Sequence, residues 1–133
     1  MARILIIDDN EAFRASVNDL LEGVGYAVAT AIDGEDGVRQ FEQAPFDLVV
    51  CDLLMPRKDG LETISDILKI ASTTPIISTT GYSNPRSPVD VAALQGSYLA
   101  AAKALGAAHT LVKPFEPEEF LGLVRRCLEA AAH

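Results

Sequence analysis

Ile4-Leu5-Ile6-Ile7-Asp8-Asp9 is an apolar run stopped by two carboxylates, and the same arrangement recurs three times further along the chain. Asp47-Leu48-Val49-Val50-Cys51 runs into Asp52, Pro75-Ile76-Ile77-Ser78-Thr79 into Thr80, and Thr110-Leu111-Val112 into Lys113. Read as parallel strands, the four runs bring their carboxyl ends to one edge of a sheet, where α/β folds bind ligands. Three acids, a hydroxyl and an amine converge on that edge, a set that phosphoryl transfer can use.

The segments between these runs carry helical period. Phe13, Val17, Leu20, Leu21 and Val24 recur at the spacing of one helix face, and Leu61, Ile64, Leu68 and Ala71 repeat it. Val38 and Phe41 predict a short second helix, with Asp33 as N-cap and its end before Pro45. Leu94, Tyr98, Ala102 and Leu105 mark a fourth helix, and Phe120, Val124 and Leu128 a fifth. The fifth starts at Pro117 among Glu116, Glu118 and Glu119, which favour the positive end of a helix dipole. Tyr26 to Ala31 supplies the remaining strand. This alternation predicts an α/β fold: a doubly wound, five-stranded parallel sheet of flavodoxin-like order 2-1-3-4-5, with five helices in an α-β-α sandwich.

The chain has 133 residues, the size of one domain, so residues 1–133 are expected to form a single unit with its own core. Hydrophobic residues at 49% and charged residues at 23% exclude a disordered or low-complexity chain. Aspartates stop the first apolar stretch far short of the roughly 20 residues of a membrane span, and neither a signal-peptide core nor a cleavage site follows. A cytoplasmic protein without membrane contact is expected. A net charge of -8 repels phosphate backbones and argues against direct nucleic-acid binding. Cys51 and Cys127 lack metal-ligand spacing and are expected to be buried free thiols.

Asp8, Asp9 and Asp52 would crowd at the topological switch point of such a sheet. Like charges so close need a divalent cation, a cationic neighbour or a carboxyl that stays protonated. An all-oxygen donor set of this size suits Mg²⁺, and Lys113 supplies a positive neighbour. An aspartate in that setting can attack phosphorus, and Asp52, alone at the end of a central strand, is the best nucleophile. Thr80 can donate its hydroxyl to a phosphoryl oxygen. Taken singly, the same residues have plainer roles: Asp8 and Asp9 could cap a helix, Thr80 sit in a turn and Lys113 be a solvated charge.

Together these residues resemble the receiver domains of two-component response regulators, the CheY-like family. The resemblance covers essentially the whole chain. It rests on Asp8-Asp9, on Asp52-Leu53-Leu54-Met55-Pro56-Arg57-Lys58-Asp59-Gly60, on Thr80-Gly81 and on Lys113-Pro114-Phe115. It implies that Asp52 accepts a phosphoryl group from a histidine kinase or histidine phosphotransferase. Asp8, Asp9, Asp52 and the backbone carbonyl of Leu54 would hold Mg²⁺, or Mn²⁺ in its place. Lys113 would pair with the phosphoryl group, and the peptide between Lys113 and Pro114 would be cis. No turnover enzyme is implied beyond phosphorylation and dephosphorylation of Asp52 itself.

Two departures from the family pattern stand out. Thr110 occupies the place of the usual aromatic switch three residues before the lysine, while Tyr82 follows Thr80-Gly81, a partial similarity to a Thr-Gly-Tyr subgroup of single-domain receivers. The segment between Thr80 and Lys113 is also long, so residues 83 to 98, Tyr98 included, are expected to shape a partner surface. Leu54 and Tyr82 are poorly suited to positioning water, which implies a phosphoryl group that persists. The expected role is a stand-alone receiver that signals to a downstream protein or relays the phosphoryl group. The alternatives are a fragment of a longer regulator with a DNA-binding or enzymatic output, and a docking pseudo-receiver that is never phosphorylated. A haloacid dehalogenase-type phosphatase is disfavoured, because its Asp-x-Asp pattern is replaced by Asp8-Asp9-Asn10.

Overall fold

Each apolar run becomes a strand, and each periodic segment a helix where it is described, in the computed structural model of the protein, which describes residues 1–55, 58–80 and 100–131. The order is β1 (Arg3–Ile7), α1 (Glu11–Gly23), β2 (Ala27–Ala31), α2 (Gly34–Gln43), β3 (Leu48–Asp52), α3 (Gly60–Ile70) and β4 (Ile76–Thr80). After a helix α4, described over residues 100–105, come β5 (His109–Val112) and α5 (Pro117–Ala131). All strand pairs are parallel and the sheet order is β2-β1-β3-β4-β5, as expected. Tyr82, Leu94, Tyr98 and the rest of residues 83–98 lie outside the described residues, as do Pro56 and Arg57.

The continuous apolar character of the central strands follows from cover on both faces. Alternate residues of each strand enter different cores. Leu5, Ile7, Val49, Cys51 and Ile76 pack with Phe41, Ile64 and Ile67 of α2 and α3, while Ile4, Ile6, Val50, Ile77 and Leu111 pack with Val17, Leu21, Phe120 and Val124 of α1 and α5. Each such aliphatic side chain contributes about 1.5–3 kcal/mol when fully buried. No helix among the described residues is long and apolar enough to cross a membrane.

Three helices start on a side-chain cap. Asn10 Oδ1 accepts the N–H of Phe13, Asp33 that of Asp36 and Asp59 that of Glu62, at 3.0, 2.8 and 2.9 Å. Two expected face residues fall elsewhere. Val24 is 56% exposed because α1 ends at Gly23 and the chain turns through Gly25 at φ 95°. Leu105, at 44% exposed, sits at the last turn of α4 before Gly106 at φ 119°, and Ala102 alone carries that helix's buried face among the described residues.

Candidate functional site

The carboxyl edge of the sheet gathers the residues that end the strands. Asp8 follows β1, Asp52 ends β3, Thr80 ends β4 and Lys113 follows β5. Because Asn10 caps α1, neither Asp8 nor Asp9 is consumed in that role. Asp8 is fully buried and Asp9 is exposed, so the two acids that look equivalent in sequence occupy different environments. Asp8 Oδ1 accepts the N–H of Asn10 at 2.9 Å and its Oδ2 accepts Lys113 Nζ at 2.6 Å. The ammonium is therefore the counter-ion of Asp8. Lys113 N–H also donates to the Thr80 carbonyl at 3.1 Å, which fixes the lysine to the end of β4, and the following peptide, Lys113–Pro114, is cis.

Asp52 is buried, with Oδ1 accepting the N–H of Leu54 at 3.3 Å. Desolvation first, then the charge of Asp8, pushes its pKa up to about 7, with Lys113 acting in the opposite direction. One carboxyl oxygen from each of Asp8, Asp9 and Asp52 lies within 4.8 Å of the others, close enough to share a metal ion. Of the three compensations open to such a cluster, the structure displays two: a cation paired with Asp8 and a carboxyl inclined to keep its proton. The donor chemistry also fits the third, since three carboxylates around one point suit a hard cation such as Mg²⁺.

A cleft of about 530 Å³ opens over these acids, lined by Asp9, Asn10, Phe13, Ser16, Leu54 and Lys113 among others. The hydroxyls of Thr79 and Thr80 are buried without a hydrogen-bond partner among the described residues. An unsatisfied buried hydroxyl at the end of β4 is a donor awaiting an acceptor. Thr110 is half-buried in β5, in register with Ser78, and so belongs to the sheet rather than to the cleft. Cys51 and Cys127 are buried free thiols as expected.

Several residues with a part in this geometry were not evident from sequence. Phe13 packs against the core of α1 and α5, as its place on the helix face predicts, and its ring centroid also lies 3.8 Å from Lys113 Nζ. Asn10 had a visible signal, an Asn directly before a helical period. Gly60 is forced by its surroundings: a Cβ there would sit 2.3 Å from the carbonyl oxygen of Asp52 and 2.5 Å from Leu53 Cα. The helix that follows the phosphoacceptor candidate is thus pressed directly onto its backbone.

The response regulator receiver domain family matches residues 4–125 of this chain. Protein CcdB of Bacillus subtilis is 32% identical over 129 residues, covering 96% of this chain and 98% of that protein. The transcriptional regulatory protein DltR of Streptococcus agalactiae is 30% identical over 92% of this chain, which spans only about half, 50%, of its length. The structure of the chemotaxis protein CheY4 of Vibrio cholerae matches with a TM-score of 0.81 at 32% identity, over 96% of this chain and 99% of that one. With a CheY-like fold and an acidic pocket typical of a phosphoacceptor site, the chain belongs to the response regulator receiver domain family.

Proposed function

We propose that the protein is a phosphorylation-controlled signalling receiver in which Asp52 takes a phosphoryl group from a phosphohistidine of a histidine kinase or histidine phosphotransferase. The observation that carries this proposal is the convergence of Asp8, Asp9 and Asp52 within 4.8 Å beside the buried ammonium of Lys113. An Asp52 carboxylate oxygen attacks phosphorus, the phosphorus–nitrogen bond of the donor breaks, and the electron pair leaves on the imidazole, which takes up a proton. Mg²⁺, or Mn²⁺ in its place, held by Asp8, Asp9, Asp52 and the Leu54 carbonyl, would neutralise the phosphoryl oxygens. Asp52 must be ionised to attack, and a neighbouring cation favours that form against burial. Lys113 then has a second anion within reach beside Asp8, and the unpartnered hydroxyl of Thr80 gains an acceptor in the phosphoryl oxygens.

Output through a surface change to a downstream protein, rather than through direct nucleic-acid contact, fits the acidic chain. Thr110 cannot act as an aromatic switch, so the proposed route runs through Thr80, Tyr82 and Tyr98, the last two outside the described residues. A stand-alone receiver is supported by the near full-length match to CcdB, and a place in the cytoplasm by membership of the receiver family. The half-length match to DltR favours a second arrangement, in which the chain is the receiver of a longer regulator, and the mass of the protein isolated from its own cells distinguishes the two.

The test is intact mass after incubation with Mg²⁺ and a small phosphodonor. A single phosphoryl adduct is expected in the wild type and none in Asp52→Asn. An adduct that persists in Asp52→Asn, or its absence from Mg²⁺-loaded wild type, would overturn the assignment.

A further inference from the structure

Lys113 has a second partner besides Asp8. Its Nζ lies 3.8 Å from the centroid of the Phe13 ring, and its ion pair with Asp8 is 2.6 Å long. Two contacts thus meet at the end of a long, flexible side chain. The ammonium is buried, so water competes weakly for it and attraction to the ring falls at the strong end of the cation–π range.

The ring is itself held. Phe13 lies in the first turn of α1, where the Asn10 cap takes its N–H at 3.0 Å. Behind it Phe115, two residues after Lys113, meets the ring edge-on at 6.0 Å and 88°. Phe115 in turn stacks at 5.3 Å and 23° on Phe120, which is fully buried in α5. An aromatic ladder therefore runs from the core beneath α5 to the ammonium at the sheet edge.

We propose that Phe13 is a positioning residue for Lys113: its ring face holds the ammonium beside Asp8 and within reach of Asp52, so that phosphoryl transfer begins with the cation in place. This rests on Asp52 being the phosphoacceptor, since Lys113 has a phosphoryl group to meet only in that case. Phe13 does not touch the reacting atoms. An aliphatic residue of similar size would fill the space without attracting the cation, which separates positioning from packing.

The test compares the full chain with Phe13→Leu and Phe13→Tyr. In wild type without Mg²⁺, the ring current should shift the Lys113 ε-methylene protons upfield in NMR spectra, and Phe13→Leu should abolish that shift. With Mg²⁺ and saturating acetyl phosphate, Phe13→Leu should lower the maximal phosphorylation rate about tenfold. The Mg²⁺ dissociation constant from calorimetry should stay unchanged, and Phe13→Tyr, which keeps the ring, should restore the rate. An unshifted Lys113 signal in wild type overturns the proposal, as does a Phe13→Leu variant that phosphorylates at the wild-type rate. If wild type itself forms no adduct, Asp52 is not the acceptor and the positioning role falls with it, even where the upfield shift shows the ring over the cation. Should Phe13→Leu fail to fold, Phe13→Met serves in its place with the same outcomes.

Discussion

Asp52 stands where burial and the Asp8 charge both oppose its ionisation, and its pKa rises from 3.8 to about 7. Between those two values the native state binds more protons than the unfolded chain, so this group's contribution to stability is full below 3.8 and is lost as pH rises toward 7. An asparagine at the same place never ionises. In metal-free protein, Asp52→Asn should match the wild type near pH 4 and exceed its unfolding free energy by on the order of 2–4 kcal/mol at pH 8. Urea titrations at the two pH values check this, and equal stabilities at pH 8 would show that Asp52 ionises without cost. Lys113 acts in the opposite sense, because it neutralises the buried Asp8 at 2.6 Å. Lys113→Met leaves that carboxylate unpaired and should cost about 3–5 kcal/mol at neutral pH, most of it recovered when Asp8→Asn is added. A double variant no more stable than Lys113→Met alone would show that the pair does not couple.

At the scale of elements, the junction between β3 and α3 sets the position of Asp52. Gly60 N–H donates to the Leu53 carbonyl at 3.1 Å, and the missing Cβ leaves room for the Asp52 and Leu53 backbone. Gly60→Ala should therefore cost about 1–3 kcal/mol and slow phosphorylation of Asp52 as well, because relief of the clash moves the strand end. Gly122→Ala in α5 is the control: a Cβ there would meet nothing within 4 Å, and the helix gains propensity. Thermal melts and adduct time courses on both variants check the contrast; equal effects would remove the special role of Gly60. The same elements show what was legible in the sequence. β1, β3 and β4 are covered on both faces, so continuous apolar runs located them to within a residue, and the acids after β1 and at the end of β3, with the lysine after β5, located most of the cleft. Helix ends were less visible, since Val24 and Leu105 keep the period while Gly25 and Gly106 stop the helices. The contacts of Phe13 and Gly60 were hidden for another reason. Their partners, Lys113 and the Asp52 backbone, are tertiary neighbours, and an apolar residue on an apolar face looks like core.

At the scale of the whole molecule, the sheet divides the interior into two cores, and each holds one thiol: Cys51 between the sheet and α2–α3, Cys127 between the sheet and α1–α5. Burial raises both thiol pKa values, that of Cys51 well above its ordinary range with Asp52 and Asp8 adding to the effect. Neither thiol should react with a disulfide reagent in the native state. Cys51 lies in a central strand with neighbours on both edges, so it becomes accessible only when the sheet separates. Cys127 borders a surface groove with Pro75 and His109, and a local displacement of the end of α5 suffices to expose it. Labelling of Cys51 then reports global unfolding and labelling of Cys127 a smaller opening, so Cys127 should react faster. A cation held by Asp8, Asp9 and Asp52 binds the native state alone. At a hundred times its dissociation constant Mg²⁺ should stabilise that state by about 2.7 kcal/mol and slow Cys51 labelling about a hundredfold, with less effect on Cys127. Mass spectrometry of each labelled peptide over time, with and without Mg²⁺, measures both rates in one experiment. A Cys51 rate indifferent to Mg²⁺ would mean either that the acids hold no cation or that Cys51 opens locally, and urea unfolding with and without Mg²⁺ separates the two, because only a bound cation raises the unfolding midpoint.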